Sequence, residues 1–246
     1  MRKKSIAVVG RVAEGVELLD GQTVKTKILC EELLRCFPEC KLICVDTYQY
    51  RKNFLSILVQ MIRAFLECEH IFILLSRNGR KFFIPVLTGI NIIFRRRLYH
   101  DVVGGALPDE AKKCPALRKQ LQRFEVNWVE FSAMKEQLKE IGVTNVEVLP
   151  NFKRLQILSA EQLPVQWQEP FVFTMFSRVL KEKGMETAAK AITEVNGRFG
   201  KKRAVLRIYG AVENCYKEAF ELLLEQYKDC VSYMGCIPFD QSVEVL

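Results

Sequence analysis

The stretch FVFTMFSRVLKEKGMETAAKAI, residues 171–192, begins as a strand and ends as a helix. Its first six residues are apolar except for one threonine, which is typical of a strand in a parallel sheet covered on both faces. Apolar residues then recur at three- and four-residue spacing, which predicts a helix over 186–196. Arg178, Lys181 and Lys183 lie between the two elements. The sequence therefore predicts a strand–loop–helix unit whose loop carries fixed positive charge.

The same alternation runs through most of the 246 residues. Short apolar runs predict strands, and longer amphipathic stretches predict helices. Apolar strands joined by helical crossovers are typical of a parallel sheet, so we predict a doubly wound α/β fold. The predicted strands are 5–9, 41–46, 70–76, 126–132, 146–150, 171–176, 204–210 and 231–235, and a further extended segment ends in LYHDVVGG, 98–105. The predicted helices are 23–37, 54–68, 80–94, 116–124, 133–142, 186–196 and 216–228.

A break in this rhythm predicts two domains. Residues 151–170 hold two prolines and many polar residues, which is typical of an interdomain linker. The first domain would then be residues 1–150. The second, residues 171–246, reaches only about half of a usual doubly wound domain before its last stretch, DQSVEVL, opens a further helix. We therefore expect this domain to be incomplete, with a partner chain or a missing segment covering its open sheet edge.

The net charge and the cysteines indicate which partners and which kinds of site to expect. The formal net charge of +8 favours anionic partners such as nucleotides or anionic lipids. Basic clusters at 2–4, 95–97 and 201–203 are separated by acidic helices, an arrangement that argues against a nucleic-acid partner. The nine cysteines are scattered and form no C-x-x-C pair, which indicates buried thiols in a reducing cytoplasm rather than a metal site.

The longest uncharged apolar run is FFIPVLTGINIIF, residues 82–94. It is too short to span a bilayer, and no signal peptide opens the chain. We expect a buried helix here. With Arg95–Arg97 behind it, the run would alternatively rest on an anionic membrane surface. A cytoplasmic protein is expected, with contact to the inner membrane face as the alternative.

Ligands of doubly wound sheets bind beyond the carboxyl ends of the strands, so functional residues are expected in the loops that follow the strands. The loop after the first strand has neither G-x-G-x-x-G nor a P-loop. Its end, DGQT, opens a helix at Gly21 whose free N–H groups suit an anion. A turn with a polar helix cap explains the same residues equally well.

Two further loops carry candidate chemistry. His100, in YHDVVGG, would hydrogen-bond a sugar hydroxyl or move a proton, or would instead be structural. Arg178 and Lys183 precede a helix and together would neutralise a diphosphate leaving group. A solvated basic loop is the alternative for this pair.

Taken in order, these stretches resemble the motifs of one family. FSRVLKEKGMETAAKA, LRIYG and VSYMGCIPFDQSVEVL are similar to second-domain motifs of the retaining GT-B glycosyltransferases of the family-4 type. GQTVKT, DVVGGALP and MKEQLKEIGVTNVEVLPNF resemble the first domain of its capsular or exopolysaccharide members. The resemblance covers nearly the whole chain. It implies two Rossmann-like domains and transfer of a hexose from a nucleoside diphosphate sugar to a polysaccharide or lipid-linked glycan acceptor.

The resemblance also implies roles for individual residues. Arg178, Lys183, Gly21 and Gln22 would hold the donor diphosphate, and Gly210 and Ile237 would line the nucleotide pocket. His100 would face the transferred sugar as the catalytic residue. The first domain would hold the acceptor and the second the donor. No metal or other cofactor is expected, because the two cations would carry the charge and no Asp-x-Asp motif occurs.

The chain departs from the family in one respect. Family members continue through a Pro-Ser segment and a Glu-x7-Glu motif that holds the sugar and the ribose, and residues 1–246 do not supply it. We therefore expect a fragment of the full enzyme, or alternatively a catalytically incomplete glycosyltransferase-like protein that binds a partner chain. A nucleotide-dependent oxidoreductase is a third hypothesis, and the lack of G-x-G-x-x-G argues against it.

Overall fold

A computed structural model describes residues 5–16, 21–152, 159, 161 and 168–237. Most of the predicted linker 151–170 and the predicted helix opening in DQSVEVL lie outside these residues. The chain divides into two compact units, Met1–Arg154 and Leu155–Leu246.

The first unit is built on a six-stranded sheet in which every strand pair is parallel. The strand order is β2-β1-β3-β4-β5-β6, so the chain reverses direction across the sheet between β1 and β3. Such a reversal opens a crevice at the carboxyl ends of the two strands, where doubly wound folds bind ligands. The strands are β1 (Ser5–Gly10), β2 (Lys41–Asp46), β3 (His70–Leu75), β4 (Arg97–Val102), β5 (Val126–Val129) and β6 (Val146–Val148).

Helices cover both faces of this sheet. Successive residues of a strand point to opposite faces, so Ala7 and Val9 join the larger core while Ile6 and Val8 join a smaller one. Helix α1 packs on the smaller core, and α2 to α6 pack on the larger. The helices are α1 (Gly21–Cys36), α2 (Phe54–Glu67), α3 (Arg77–Phe94), α4 (Leu107–Lys113), α5 (Pro115–Leu121) and α6 (Ser132–Glu140).

The second unit repeats the pattern on a smaller scale. Its described strands form a parallel sheet in the order β7-β8-β9, and Ile192, Ile208 and Phe220 lie in its core. A short 3₁₀ turn, Lys181–Lys183, connects β7 to the first helix. The elements are β7 (Phe171–Phe176), α7 (Met185–Phe199), β8 (Ala204–Tyr209), α8 (Lys217–Gln226) and β9 (Val231–Tyr233).

The doubly wound α/β prediction is confirmed, and three details differ from it. Helix α4 was not predicted, because GGALP indicates a turn, yet Pro108 lies in its first turn, where no N–H is needed. The run 82–94 is only half buried, since Ile93 is 79% exposed. The expectation of buried thiols is wrong for five cysteines, which are exposed: Cys36, Cys44, Cys114, Cys215 and Cys236.

Candidate functional site

The carboxyl edge of the second sheet holds four of the predicted site residues. Arg178 and, in the 3₁₀ turn, Lys183 follow β7, Gly210 follows β8, and Ile237 follows β9. Because neighbouring parallel strands end at one edge, their following residues are brought together there. Hydrogen bonds connect the strand ends: the Gly210 N–H donates to the Gly235 carbonyl at 2.9 Å, and the Tyr233 hydroxyl donates to the Gly210 carbonyl at 2.8 Å.

Gly210 is required at this edge for a steric reason. Its φ of 134° lies in a region that side chains rarely adopt. A Cβ atom there would overlap the Ser177 carbonyl, whose carbon would be 2.7 Å away. Glycine therefore allows the end of β8 to lie directly against the backbone that leads into Arg178.

Arg178 is 65% exposed and forms an ion pair with Glu213, its Nη1 lying 2.9 Å from the carboxylate Oε1. The Glu213 N–H donates to the Val179 carbonyl, which fixes this loop beside Arg178. An exposed pair of this kind contributes about 0–1 kcal/mol, so an incoming phosphate competes readily for the guanidinium. The side chain is held near the sheet edge and is still available to a ligand.

Lys183 lies at the end of the 3₁₀ turn and is exposed. Within the described residues it forms no ion pair. Gly184 follows in the left-handed conformation, φ 78°, and α7 begins at Met185. The free N–H groups and the dipole of a 15-residue helix thus lie directly after this lysine, which adds to its attraction for an anion.

The carboxyl edge of the first sheet holds Gly21 and Gln22. Gly21 is the first residue of α1 and is exposed. Gln22 is only 5% exposed, and its Nε2 donates to the Leu74 carbonyl at 3.0 Å. Its Oε1 is buried and accepts no hydrogen bond within the described part of the chain. One acceptor at the start of α1 is therefore left for a ligand donor.

Gln22 lines a cavity of about 350 Å³ at the carboxyl ends of β1, β2 and β3. Among the described residues that line the cavity none is acidic, and the cations are Arg11 and Arg51. The first turn of α3 supplies further wall, so backbone N–H groups of a helix N-terminus border the space. The remaining lining residues are Thr47, Tyr50, Leu75, Ser76, Asn78, Gly79 and Phe83. The cavity is suited to a ligand that carries negative charge and hydroxyl donors.

His100 lies in β4 with its side chain fully buried. Its Nδ1 lies 3.0 Å from the Asn127 Oδ1, its ring packs on Phe124, and its Nε2 has no hydrogen-bond partner in the described residues. Burial lowers the pKa of His100 to about 3, so the imidazole is neutral at pH 7. The structure thus gives His100 a set of interior contacts that the sequence did not suggest, and its catalytic role stays a prediction.

The buried pair of Lys25 and Asp101 was missed by sequence reasoning. The lysine Nζ lies 2.6 Å from the aspartate Oδ1, and both side chains are almost fully buried. Burial raises the pKa of Asp101, and the charge of Lys25 opposes that rise. The Lys25 ammonium also lies over the Phe152 ring, 5.4 Å from the ring centroid. The sequence held two signs of this pair. Lys25 lies in the first turns of a predicted helix, within GQTVKT, and Asp101 lies at a predicted strand end, within YHDVVGG.

The described residues contain no group of three or more His, Cys, Asp or Glu side chains that could hold a metal ion. In the same residues, no helix is long and apolar enough to cross a membrane.

No known family model matches the sequence, and no curated protein matches it. Solved structures do match. HepE from Anabaena, solved in complex with UDP and glucose, has a TM-score of 0.62 at 13% identity, over 96% of this chain and 70% of its own. The lipopolysaccharide outer core galactosyltransferase WaaB has a TM-score of 0.57 at 12% identity, over 98% of this chain and 70% of its own.

A third match covers a smaller share of the matched protein. TarM from S. aureus, solved with fondaparinux, alpha-GlcNAc-glycerol and UDP, has a TM-score of 0.51 at 15% identity, over 74% of this chain and 37% of its own. Such structures are GT-B glycosyltransferases, and identities of this size show the fold alone. The chain therefore has the two-unit, Rossmann-like α/β fold of the GT-B class.

Proposed function

We propose that the protein is a retaining glycosyltransferase of the family-4 type. It would transfer a hexose from a nucleoside diphosphate sugar to a polysaccharide or lipid-linked glycan acceptor. The observation that carries the proposal is the placement of Arg178 beside Gly210, with Lys183 at the start of α7, along one sheet edge. The GT-B fold adds support, because HepE, which shares it, was solved with UDP and glucose.

In this reaction the bond between the anomeric carbon of the sugar and the diphosphate oxygen breaks. An acceptor hydroxyl oxygen forms the new bond to that carbon, and the hydroxyl proton leaves with the nucleoside diphosphate. Negative charge develops on the departing oxygen, and Arg178 and Lys183 are the proposed groups that stabilise it. Arginine supplies a planar fork of donors and lysine a point charge, so no metal is required in this scheme.

The remaining predicted residues keep proposed roles. Gly21 and Gln22 are proposed to contact the donor phosphates through their backbone N–H groups, at the start of α1. Gly210 and Ile237 are proposed to line the nucleotide pocket. His100, buried beside Asn127, is proposed to act on the transferred sugar only as a neutral imidazole, because its lowered pKa excludes a stable imidazolium at pH 7.

The cavity lined by Gln22 is the proposed acceptor subsite of the first unit. Its two arginines and the start of α3 fit an acceptor that carries phosphate, as a lipid-linked glycan does. Work on such an acceptor would place the protein at the cytoplasmic face of a membrane, and that location is part of the proposal.

The test is a calorimetric titration with UDP, and with GDP and ADP in parallel. Saturable binding is expected, and Arg178→Ala should weaken it by about 10- to 100-fold, the effect of losing a hydrogen bond to a charged group. Arg198→Ala is the matched control, because Arg198 is also exposed and paired with a glutamate, Glu194, in the same unit. Equal loss in both variants, or no binding of any nucleotide to the wild type, would contradict the proposal.

A second candidate is a non-catalytic glycosyltransferase-like protein that binds a partner chain. Its support is β7, an edge strand of the described sheet, on which Val172 and Phe173 are both about half exposed. These side chains point to opposite faces, so apolar surface lies uncovered on both sides of the edge. A wild type that binds no nucleoside diphosphate would favour this candidate.

A further inference from the structure

Helix α2 is apolar on two opposite faces. One face packs into the core through Ile57, Met61, Ala64 and Phe65. The other presents apolar side chains that are 40–74% exposed, at a spacing of four, three and four residues that follows one side of the helix. These are Leu55, Val59, Ile62 and Leu66. A globular surface helix normally places polar residues on that side, so this stripe needs a partner.

Helix α3 continues the apolar surface. Its Phe82 ring meets the Phe54 ring of α2 edge-to-face, with centroids 5.5 Å apart. Farther along α3, Ile92 is 63% exposed and Ile93 is 79% exposed. We call the outward-facing residues Leu55, Val59, Ile62, Leu66, Phe82, Ile92 and Ile93 the α2–α3 face.

The segment of the chain that carries this face is strongly basic. Residues 51–97 contain nine lysine and arginine residues and two glutamates, a formal charge of +7 against +8 for the whole chain. Helix α3 contains no acidic residue. Glu67, one of the two glutamates, is paired with both Arg63 and Lys41. The apolar face is therefore combined with a strong excess of positive charge.

A groove of about 430 Å³ between α3, α4 and α5 has the same mixed character. Pro85, Ala116 and Leu117 form apolar wall, and Lys81 and Lys113 are among the cations at its rim. The other polar residues there are Arg77, Arg80, Glu110 and Gln120, and Glu110 accepts from both arginines. The groove suits an amphiphile with an anionic head and an apolar tail.

We infer that the α2–α3 face binds the surface of a lipid bilayer that contains anionic lipids. The apolar stripe would enter the boundary between headgroups and acyl chains, and the surrounding cations would meet lipid phosphates. A second copy of the chain is a poorer fit, because a symmetric dimer would bring two copies of this basic segment together, including the exposed Arg95 and Arg97 of each. This inference names the surface that would hold the protein at the membrane location proposed above, and it does not depend on the transfer reaction itself.

The experiment is co-sedimentation of the full chain with vesicles of phosphatidylcholine alone or with added phosphatidylglycerol. Binding is expected only to the anionic vesicles and should weaken with salt over about 0.05 to 0.5 M. Leu55→Glu should reduce binding at least tenfold. Leu222→Glu is the matched control, because Leu222 is an exposed leucine of α8, 73% exposed against 74% for Leu55.

Two charge-reversal variants test the contribution of the cations. Arg95→Glu should weaken binding by well over the roughly fivefold expected for losing one cation near the surface. Lys190→Glu, an exposed lysine of α7, should have little effect. Circular dichroism and the UDP titration on the same variants separate loss of vesicle binding from loss of fold or of donor binding.

Three results would overturn the inference. The first is equal binding of wild type and Leu55→Glu to anionic vesicles. The second is no vesicle binding by the wild type. The third is a concentration-dependent dimer in sedimentation velocity that Leu55→Glu abolishes, which would assign the face to a second copy.

Discussion

Gly210 lies against the carbonyl group of Ser177, so closely that a side chain on Gly210 would overlap it. The contact joins the end of β8 to the residue that precedes Arg178. Its physical basis is the absence of a Cβ atom together with a positive φ of 134°. The lack of a side chain on Gly210 thus fixes the position of the backbone at Arg178, the proposed phosphate-binding arginine.

Gly210→Ala is therefore expected to displace the Ser177–Arg178 backbone. The variant should weaken UDP binding at least tenfold and lower the free energy of unfolding by about 1–3 kcal/mol, the cost of local backbone strain. Urea unfolding and the UDP titration measure the two effects. Gly197→Ala is the control, since Gly197 lies in α7 with open space around it, and the change should stabilise by about 0.5–1 kcal/mol. Unaltered UDP binding in Gly210→Ala would refute the steric argument.

Glu213→Gln is expected to strengthen UDP binding by about two- to fivefold. The carboxylate competes with phosphate for the Arg178 guanidinium, and an exposed ion pair contributes up to about 1 kcal/mol. The isothermal titration of UDP measures the change, with Glu194→Gln, at the matched pair on α7, as the control. A weaker affinity in Glu213→Gln would mean that Glu213 itself contacts the ligand.

Lys25→Met should lower the free energy of unfolding by about 3–5 kcal/mol, because it leaves Asp101 buried without its partner. The double variant Lys25→Met, Asp101→Leu should recover most of that loss, since both charges are then removed from the interior. Urea unfolding of the four proteins in the cycle gives the coupling free energy. Additive effects of the two single changes would show that the ion pair contributes no coupling.

His100 should make the protein less stable in acid. Its pKa is about 3 in the folded protein and about 6.5 when unfolded, so the unfolded state binds more protons as the pH falls. Stability is therefore expected to drop below pH ~6.5 by up to about 1.4 kcal/mol per pH unit, levelling off near the folded pKa.

The control for this effect is His100→Gln, which keeps an amide partner for Asn127 and does not titrate. Urea midpoints at several pH values between about 7 and 4 should show a smaller slope for the variant than for the wild type. Equal slopes would mean that His100 titrates normally in the folded state.

Much of the fold could be predicted from local sequence. Apolar runs such as 41–46 and 171–176 have the same bounds as the observed strands, because a short run of mainly apolar residues is typical of a strand in a parallel sheet. Helix α4 could not be predicted in this way, since Pro108 in its first turn is compatible with either a loop turn or the start of a helix. Packing against α6 and the larger core, through Leu107 and Ala111, selects the helix.

The candidate site could be predicted only in part from the sequence. Residues that follow strands, such as Arg178 and Gly210, are placed by topology alone, because parallel strands end at one edge. The Lys25–Asp101 pair joins residues 76 positions apart, and no local pattern specifies it. For His100 the sequence left a contact to the sugar and a structural role both open, and its burial against Phe124 is specified only by the tertiary structure.

The sequence by itself determined most of the strands and helices, the parallel sheet that they form, and the positive charge at the loop ends, because these follow from periodicity and residue type over a few neighbouring positions. Tertiary structure decided which side chains are buried, which charges pair, and which apolar helix faces remain uncovered. Each of those depends on what an element meets across the sheet, and residues far apart in the chain supply that information.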